Sequence, residues 1–252
     1  MRLSGKVVLI TGGNSGIGLG IAHRFRDEGA RGVIVGRNPE TLNLASQSLG
    51  SDFLPLQCDV TNLEELEVLY KTARKQMGKI DVLVVNAGGS IGPGTIQPFD
   101  QVDEKTFDGL TNLNMKSTFY TVQKALPYLN DGASIILVSS IAVHKGFPGM
   151  SVYSACKAAV RNLARSLSVE LMPRGIRVNV LSPGTIDTPV FEKFGFSEEE
   201  ISKMKAQFKD LIPMKRTGTP EEMGGVAAFL ACSDSSFVVG EEIIADGGVV
   251  NL

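Results

Sequence analysis

A strand-like run and a glycine-rich turn follow each other near the start of the chain, in the order Val7-Val8-Leu9-Ile10-Thr11-Gly12-Gly13-Asn14-Ser15-Gly16-Ile17-Gly18. An amphipathic segment over residues 19–28 comes next, so the stretch predicts strand, turn and helix. Glycines permit positive φ angles and a close approach of backbone to a pyrophosphate, and the start of the helix favours the anion. The stretch therefore predicts a nucleotide-phosphate site, with a tight packing turn as the alternative.

Six more strand-like runs follow, separated by amphipathic segments. Several are continuously apolar, which is typical of strands buried on both faces of a parallel sheet. This alternation predicts an α/β fold: a single doubly wound Rossmann domain over residues 1–252, with a mostly seven-stranded parallel sheet flanked by helices. The predicted strands are Val7–Thr11, Gly32–Val35, Phe53–Gln57, Val82–Asn86, Ser134–Ser139, Arg177–Leu181 and Glu242–Ala245.

Three helix starts can be located from their capping residues. Asn38 precedes a proline, and Ser197 and Thr219 each stand three residues before a glutamate, which is capping-box spacing. The least regular stretch covers residues 185–217. It predicts a catalytic domain with a helical substrate flap over 185–217, with a plain surface excursion as the alternative.

The composition excludes several classes of protein. The 28 glycines among 252 residues exceed the average usage of about 7%. Lys+Arg total 25 against 27 Asp+Glu, a net charge of −2, so no nucleic-acid partner is expected. No apolar run approaches about 18 residues, so no membrane partner is expected. Three widely separated cysteines and two histidines indicate a reducing, cytoplasmic compartment and no metal site.

The end of the second predicted strand bears on the choice of cofactor. Dinucleotide sites place an acid there for a ribose 2′-hydroxyl, or an arginine for a 2′-phosphate. Here the strand ends at Gly36-Arg37-Asn38, without an acid. A guanidinium binds phosphate through charge-assisted hydrogen bonds, whereas a carboxylate would repel it. Arg37 therefore favours NADP(H), and the lack of a basic residue at Asn14 or Ser15 leaves NAD(H) as a weaker second cofactor.

A tyrosine and a lysine stand four residues apart, at Tyr153 and Lys157, and therefore share a helix face. An ammonium about 4 Å from a phenol can bring the phenol pKa from about 10 towards neutrality. Such a pair exchanges a proton with a carbonyl or alcohol. Tyr120 and Lys124 have the same spacing but no polar motif upstream, and we interpret them as an ordinary helix surface pair.

Two further polar residues are candidates for the same chemistry. Ser140 follows a predicted strand and can polarise a carbonyl oxygen. Asn114 lies on a largely inward helix face, where an amide requires hydrogen-bond partners. It is either a structural asparagine or a proton-relay residue behind the site, and the sequence does not separate the two. Cys156 has apolar neighbours at helical spacing and is interpreted as a core residue.

Taken together, the motifs resemble the short-chain dehydrogenase/reductase family along essentially the whole chain. The motifs that carry the resemblance are Thr11-Gly12-x-x-x-Gly16-x-Gly18, Asn86-Ala87-Gly88, Ser140 with Tyr153-x-x-x-Lys157, Pro183-Gly184 and Asp246-Gly247-Gly248. The resemblance implies a nicotinamide-dependent oxidoreductase. It also implies a homotetramer assembled through helices that here span about 104–130 and 150–172.

The resemblance assigns roles to matching positions. Tyr153 would be the catalytic acid/base, Lys157 would lower its pKa and hold the nicotinamide ribose, and Ser140 would orient the substrate carbonyl. Asn114 would complete a proton relay. The residues implied to bind cofactor are Gly12, Asn14, Ser15, Gly16, Ile17, Gly18, Arg37, Asn38, Asp59, Val60, Asn86, Ala87, Gly88, Tyr153, Lys157, Pro183, Gly184, Ile186 and Thr188.

The predicted substrate pocket is mostly apolar and favours a hydrophobic ketone or the corresponding alcohol. Its predicted lining residues include Ala142, His144, Phe147, Met150 and Phe191. The leading hypothesis is NADPH-dependent reduction of such a ketone, as in a carbonyl reductase. A 3-oxoacyl thioester reductase acting on a carrier protein is the alternative, with Arg174 as a possible docking contact. A cofactor-binding sensor or scaffold without turnover is the alternative from another class.

Overall fold

The structure is a computed structural model that describes residues 1–92, 94–189 and 197–252, apart from the side chains of residues 205, 206 and 209. Its strands are β1 (Val7–Thr11), β2 (Arg31–Gly36), β3 (Phe53–Gln57), β4 (Ile80–Val85), β5 (Leu129–Val138), β6 (Arg177–Pro183) and β7 (Glu242–Ala245). They form a seven-stranded sheet in the order β3-β2-β1-β4-β5-β6-β7. All of the pairs are parallel, which confirms the predicted fold class.

The α-helices of the described chain are α1 (Gly16–Asp27), α2 (Pro39–Leu49), α3 (Leu63–Met77), α4 (Glu104–Thr111), α5 (Ser117–Ala125), α6 (Ser151–Leu171), α7 (Glu198–Leu211) and α8 (Pro220–Ala231). A π-helical segment, Asn112–Lys116, joins α4 to α5. Short 3₁₀ turns lie at Phe99–Gln101, Leu126–Tyr128, Ile141–Val143, Met172–Arg174 and Ser233–Ser235.

The three predicted helix caps are confirmed. Asn38 accepts hydrogen bonds from the backbone N–H groups of residues 40 and 41, at the start of α2. Ser197 and Thr219 each form a complete capping box, at the starts of α7 and α8. Each cap satisfies N–H groups that the first helical turn leaves without an intrahelical partner.

Helices pack on both faces of the sheet because neighbouring strand residues point in opposite directions. Ile10 of β1 joins a cluster that contains residues of α1, α2 and α8. Leu9 joins a second cluster with residues of α3, α5 and α6. All of β1 is buried, as expected for a strand covered on both sides.

The start of β5 differs from the prediction, which began this strand at Ser134. The strand begins at Leu129, and its pairing with β4 shifts register between Ile80 and Val82. Gly132 adopts φ 76°, a left-handed conformation that glycine tolerates, within this irregular part of the strand. A glycine and two polar residues therefore mark a bulge here rather than a loop.

Strand order reverses between β1 and β4, which lie on either side of the topological switch point. In an open α/β sheet the carboxyl ends of the strands on each side of this point form a crevice for ligands. The turns after β1, β2, β4, β5 and β6 all lie at this carboxyl edge, and they contain most of the predicted site residues.

Candidate active site

The glycine turn between β1 and α1 has a backbone that side chains would obstruct. Gly12 and Gly16 adopt φ angles of 64° and 52°. A Cβ atom at Gly18 would lie 2.1 Å from the Gly12 carbonyl oxygen. Helix α1 has no acidic residue in its first turn, and Ser15 makes no side-chain cap, so the helix start remains electropositive. These features fit the phosphates of a dinucleotide.

The Thr11 hydroxyl links the glycine turn to the segment after β4. It accepts hydrogen bonds from the backbone N–H groups of Asn86, at 3.0 Å, and Ala87, at 3.1 Å. The Asn86 amide in turn donates to the carbonyl oxygens of Thr11 and Gly12. The predicted cofactor residues Asn86 and Ala87 thus lie beside the glycine turn. Thr11 was not among the predicted site residues, and its signal was a hydroxyl at the end of an apolar strand.

The end of β2 brings Arg37 and Asp59 together, with 4.0 Å between the guanidinium and the carboxylate. The Arg37 side chain is 65% exposed and its partner Asp59 is 36% exposed, so the guanidinium is accessible to an anionic ligand. Asn14 donates a 2.7 Å hydrogen bond to the Thr41 hydroxyl. A Cβ at Gly36 would lie 2.5 Å from the Asn14 side chain, so glycine is required where this amide packs on β2.

The other predicted residues near this end of the sheet have mainly structural contacts. Asn38 caps α2, and Val60 is buried. Asp59 accepts hydrogen bonds from both the backbone and the hydroxyl of Thr61. The turns after β2 and β3 are joined by other bonds, from the Cys58 N–H to the Gly36 carbonyl oxygen and from the Gln57 amide to the Arg37 carbonyl oxygen.

Tyr153 and Lys157 lie in the first two turns of α6, and Ser140 lies just after β5. The Ser140 hydroxyl acts on the Tyr153 phenol as a side-chain hydrogen-bond partner that lowers the phenol pKa. The Lys157 ammonium lies 5.7 Å from the centroid of the Tyr153 ring and donates a 2.9 Å hydrogen bond to the Val138 carbonyl oxygen. Lys157 is only 4% exposed. The three residues therefore form one group at the carboxyl edge of the sheet.

The effect of Lys157 on Tyr153 differs from the expectation that the ammonium would lower the phenol pKa. Burial raises the pKa of Tyr153 above its ordinary value, although the hydrogen bond with Ser140 works in the opposite direction. Burial also lowers the pKa of Lys157 to about 8. The expectation took no account of burial, and it assumed a direct effect of the ammonium, which here donates its hydrogen bond to the Val138 carbonyl oxygen.

Asn114 lies in the π-helical segment and is fully buried. The side-chain Oδ1 of Asn114 accepts a 2.7 Å hydrogen bond from the Gly89 N–H. The side-chain NH₂ group donates to the backbone carbonyl oxygens of Gly89 and Leu110. A Cβ at Gly88 would lie 3.0 Å from Asn114 Oδ1 and 3.2 Å from Lys157 Nζ. The asparagine thus has structural bonds and also lies beside the lysine, so both alternatives for its role have support.

Residues after β6 lie close to the glycine turn. A Cβ at Gly184 would lie 2.7 Å from the Asp246 Cα, so only glycine fits beside the chain that follows β7. Ile186 is buried and pairs with Gly218 in an isolated bridge. A Cβ at Gly16 would lie 3.2 Å from Thr188 Cγ2, which puts this threonine against the start of α1. Of the predicted cofactor residues after β6, Thr188 therefore borders the glycine turn.

The predicted substrate residues lie in the segment between β5 and α6. Ala142 is buried, and Phe147 and Met150 are half-buried. The His144 ring nitrogen lies 3.0 Å from both carboxylate oxygens of Glu242 on β7. Phe191 lies outside the described residues.

Three other candidates have structural contacts elsewhere. Lys124 forms a 2.5 Å ion pair with Glu67, which fits its interpretation as a surface residue. Cys156 is buried, and burial raises the pKa of its thiol. Arg174 donates hydrogen bonds to Asp131 and to the carbonyl oxygens of Leu126, just before β5, and Leu129, its first residue. It therefore lies at the amino edge of the sheet, opposite Tyr153.

Residues 1–92, 94–189 and 197–252 contain no group of three or more His, Cys, Asp or Glu residues placed to hold a metal ion. Within the same ranges, no helix has the length and apolar character needed to cross a membrane.

Comparisons with known proteins give consistent results along the chain. A family model described as enoyl-(acyl carrier protein) reductase matches residues 12–250. Oxidoreductase asL5 of Sarocladium schorii is 43% identical over 254 residues, covering 100% of this chain and 98% of the relative. The 3-oxoacyl-[acyl-carrier-protein] reductase FabG of Thermotoga maritima is 36% identical, covering 99% of this chain and 100% of the relative. A solved short-chain dehydrogenase/reductase from Brucella melitensis, named as a glucose/ribitol dehydrogenase, has a TM-score of 0.90 at 32% identity over 98% of both chains.

Proposed function

Because the chain belongs to the short-chain dehydrogenase/reductase family, we propose that this oxidoreductase uses NADPH to reduce a hydrophobic ketone to a secondary alcohol. The observation that carries the proposal is the grouping of Ser140, Tyr153 and Lys157 at the same edge of the sheet as the glycine turn. Members of the family use NAD(P)(H), and the nicotinamide supplies a hydride when it is bound.

The chain's own residues handle the proton. The raised pKa keeps the Tyr153 phenol protonated at neutral pH, as a general acid requires. The phenol donates its proton to the oxygen of the ketone as that oxygen gains negative charge. The Ser140 hydroxyl hydrogen-bonds to the same oxygen and orients it. In this proposal the Lys157 ammonium, which is protonated below about pH 8, holds the nicotinamide ribose by hydrogen bonding.

NADPH is preferred in this proposal because Arg37 is the accessible cation at the end of β2. Its side chain is largely exposed, and its nearest acid, Asp59, lies 4.0 Å away. A 2′-phosphate can accept two charge-assisted hydrogen bonds from the guanidinium. Asn14 is neutral and bonded to Thr41, so NAD(H) is a weaker second cofactor rather than an excluded one.

A hydrophobic ketone is the proposed substrate because the segment before α6 presents apolar side chains. Ala142, Phe147 and Met150 lie on this segment, close in the chain to both Ser140 and Tyr153. We assign residues 185–217 as a flap of the same catalytic domain. Helix α7 forms most of its described part, and Ile186 and Gly218 pair at its base.

A carrier-linked 3-oxoacyl thioester is the second candidate substrate. It is supported by the similarity to the Thermotoga maritima reductase and by the description of the family model. An acidic carrier needs basic residues near the mouth of the site. Arg174 does not serve this purpose, because it lies at the opposite edge of the sheet and pairs with Asp131.

We further infer a homotetramer in a reducing, cytoplasmic compartment. Phe107, Met115 and Phe119 are large apolar side chains that are exposed along α4, the π-helical segment and α5, and Val169 is exposed on α6. These are the helices through which the resemblance implies assembly. Cys58, Cys156 and Cys232 are all free. Light scattering after size exclusion measures the assembly, and a monomer at micromolar concentration would contradict it.

A carbonyl panel tests the proposed function. NADPH and NADH consumption are each measured with aryl and alicyclic ketones, sugars, 2-oxo acids and a carrier-linked 3-oxoacyl thioester. We expect the highest kcat/KM for an apolar ketone with NADPH. A carrier-linked thioester as the best substrate would replace the ketone assignment. Tight NADPH binding without turnover on any carbonyl would instead support a non-catalytic sensor.

A further inference from the structure

The Glu242 carboxylate, on β7, is the centre of a polar cluster that the proposed chemistry does not use. Its side chain is only 6% exposed. It accepts hydrogen bonds from the Ser182 hydroxyl at 2.6 Å, from the Arg161 guanidinium, and from the His144 ring, which lies 3.0 Å from each carboxylate oxygen. Three donors from three different segments therefore converge on one buried carboxylate.

Each donor stands next to a segment that holds a proposed site residue. His144 ends the single 3₁₀ turn that Ser140 begins. Arg161 follows Lys157 by four residues on α6, so the two share a helix face. Ser182 directly precedes the Pro183 of the cofactor segment. The carboxylate thus joins the turn after β5, helix α6 and the end of β6 from behind the site.

The cluster is held together by charge and by burial. Burial alone would raise the pKa of Glu242, but the hydrogen bonds from Ser182, Arg161 and His144 hold it below its ordinary value. The carboxylate is therefore ionised at neutral pH. A buried charge that loses a partner is strongly unfavourable, so its donors stay in place. Glu241 lies next to the cluster, and its exposed carboxylate accepts a 3.1 Å hydrogen bond from the Glu242 N–H.

The Ser140 hydroxyl depends on the geometry of its turn, because it accepts a 3.2 Å hydrogen bond from the Ala142 N–H. Ser140 and His144 flank a single turn of 3₁₀ helix. A shift of His144 at one end of this turn therefore changes the direction of the Ser140 hydroxyl at the other end. Displacements of about 1 Å at catalytic groups can cost up to about 100-fold in rate. Control of this turn therefore has consequences for the reaction.

We propose that Glu242 is a positioning residue for the reaction, which acts through His144 to hold the Ser140 turn against the Tyr153 phenol. The proposal rests on the proposed function. It gives His144 a role as the link between the turn and β7, in place of a direct contact with substrate. It also explains why a carboxylate is buried on a strand at the edge of the sheet.

The variants His144→Ala, His144→Gln, Glu242→Gln and the double variant His144→Ala/Glu242→Gln test this proposal. Glu241→Gln is the matched control, because it removes the neighbouring carboxylate on the exposed side. The measurements are kcat and KM for the best ketone, the Kd of NADPH and the thermal midpoint. Histidine variants leave the Arg161–Glu242 pair intact, so they report on positioning even if Glu242→Gln unfolds.

We expect His144→Ala to lower kcat about tenfold with NADPH Kd and ketone KM within twofold of wild type. His144→Gln, whose amide can donate to Glu242, should recover kcat to within about threefold. Glu242→Gln should lower kcat as much as His144→Ala does. The double variant should lower kcat no further than either single variant, because both substitutions break the same contact between His144 and Glu242. Glu241→Gln should match wild type.

Four outcomes contradict the proposal. Unchanged kcat in His144→Ala overturns it, as does a loss that His144→Gln does not recover. A rise in ketone KM with kcat unchanged in His144→Ala would instead assign His144 to a contact with substrate. Additive kcat losses in the double variant would show that His144 and Glu242 act independently. Failure of the proposed function is distinct, since wild type would then show no turnover or Tyr153→Phe would retain it.

Discussion

The Lys157 ammonium donates a 2.9 Å hydrogen bond to the Val138 carbonyl oxygen, at the last residue of β5. This bond ties α6 to the strand that leads to Ser140. A second bond, from the Ser139 hydroxyl to the Lys157 carbonyl oxygen, strengthens the same junction. A charged amine is thereby buried, and its lowered pKa has consequences for stability as well as for catalysis.

Stability should therefore depend on pH through Lys157. Its pKa is about 8 in the folded chain against 10.5 as its ordinary value, so between these pH values the unfolded chain binds more protons. The contribution of this group to the free energy of unfolding then rises with pH. Urea unfolding of wild type and Lys157→Met at several pH values isolates it. We expect the difference between them to change by on the order of 2 kcal/mol. A pH-independent difference would contradict the lowered pKa.

The raised pKa of Tyr153 predicts different pH profiles for the two directions of the reaction. Reduction needs the protonated phenol, which predominates throughout pH 6 to 8, and its kcat/KM should not rise there. Alcohol oxidation needs the phenolate, so its kcat/KM should rise about tenfold per pH unit over that range. Ser140→Ala removes the hydrogen bond that lowers the Tyr153 pKa and should move the oxidation profile to higher pH. Parallel profiles for both directions would reject Tyr153 as the titrating group.

Cofactor choice should depend on Arg37. Arg37→Gln removes the exposed guanidinium, so we expect the Kd of NADPH to rise about tenfold while the Kd of NADH stays within twofold. Added salt should reduce the difference in NADPH Kd between wild type and Arg37→Gln, because salt screens the interaction between exposed charges. The control is Arg174→Gln, at the opposite edge of the sheet. This variant should bind NADPH and NADH with the same Kd values as wild type. Equal effects on NADPH and NADH would contradict recognition of a 2′-phosphate.

The glycine turn offers a matched pair of alanine substitutions. A Cβ at Gly18 would lie 2.1 Å from the Gly12 carbonyl oxygen, whereas a Cβ at Gly225 in α8 would meet nothing within 4 Å. Gly18→Ala should weaken NADPH binding more than tenfold and lower the thermal midpoint. Gly225→Ala should leave binding unchanged and stabilise the protein by about 0.5–1 kcal/mol. Titration calorimetry with NADPH and scanning calorimetry of both variants measure the binding and the thermal midpoints. Tight NADPH binding by Gly18→Ala would contradict a role of the glycine turn in cofactor binding.

The sequence predicted the sheet and the grouping of the site residues because both follow from local patterns. Buried parallel strands produce apolar runs, and loops after such strands meet at one edge of the sheet. Asn38, Ser197 and Thr219 marked their helix starts because capping depends on residues only two or three positions away. The bulge in β5 was missed because a glycine with polar neighbours has the same composition as a turn.

What escaped prediction depends on contacts between distant parts of the chain. His144 and Glu242 are 98 residues apart, so no spacing rule connects them. The pKa of Tyr153 depends on burial, and burial cannot be predicted from the four-residue spacing of Tyr153 and Lys157. Thr11 and Asn86, 75 residues apart, meet only because β1 and β4 are neighbours in the sheet.

The most direct test of the central claim is the turnover of Tyr153→Phe, with Tyr120→Phe as the control from the other tyrosine–lysine pair. The phenylalanine ring keeps the shape of the site but has no proton to donate. We predict that NADPH-linked ketone reduction by Tyr153→Phe falls at least 1,000-fold, on the order of 4 kcal/mol, while NADPH binding is retained. Tyr120→Phe should turn over like wild type. Substantial residual ketone reduction by Tyr153→Phe would contradict the assignment of Tyr153 as the general acid.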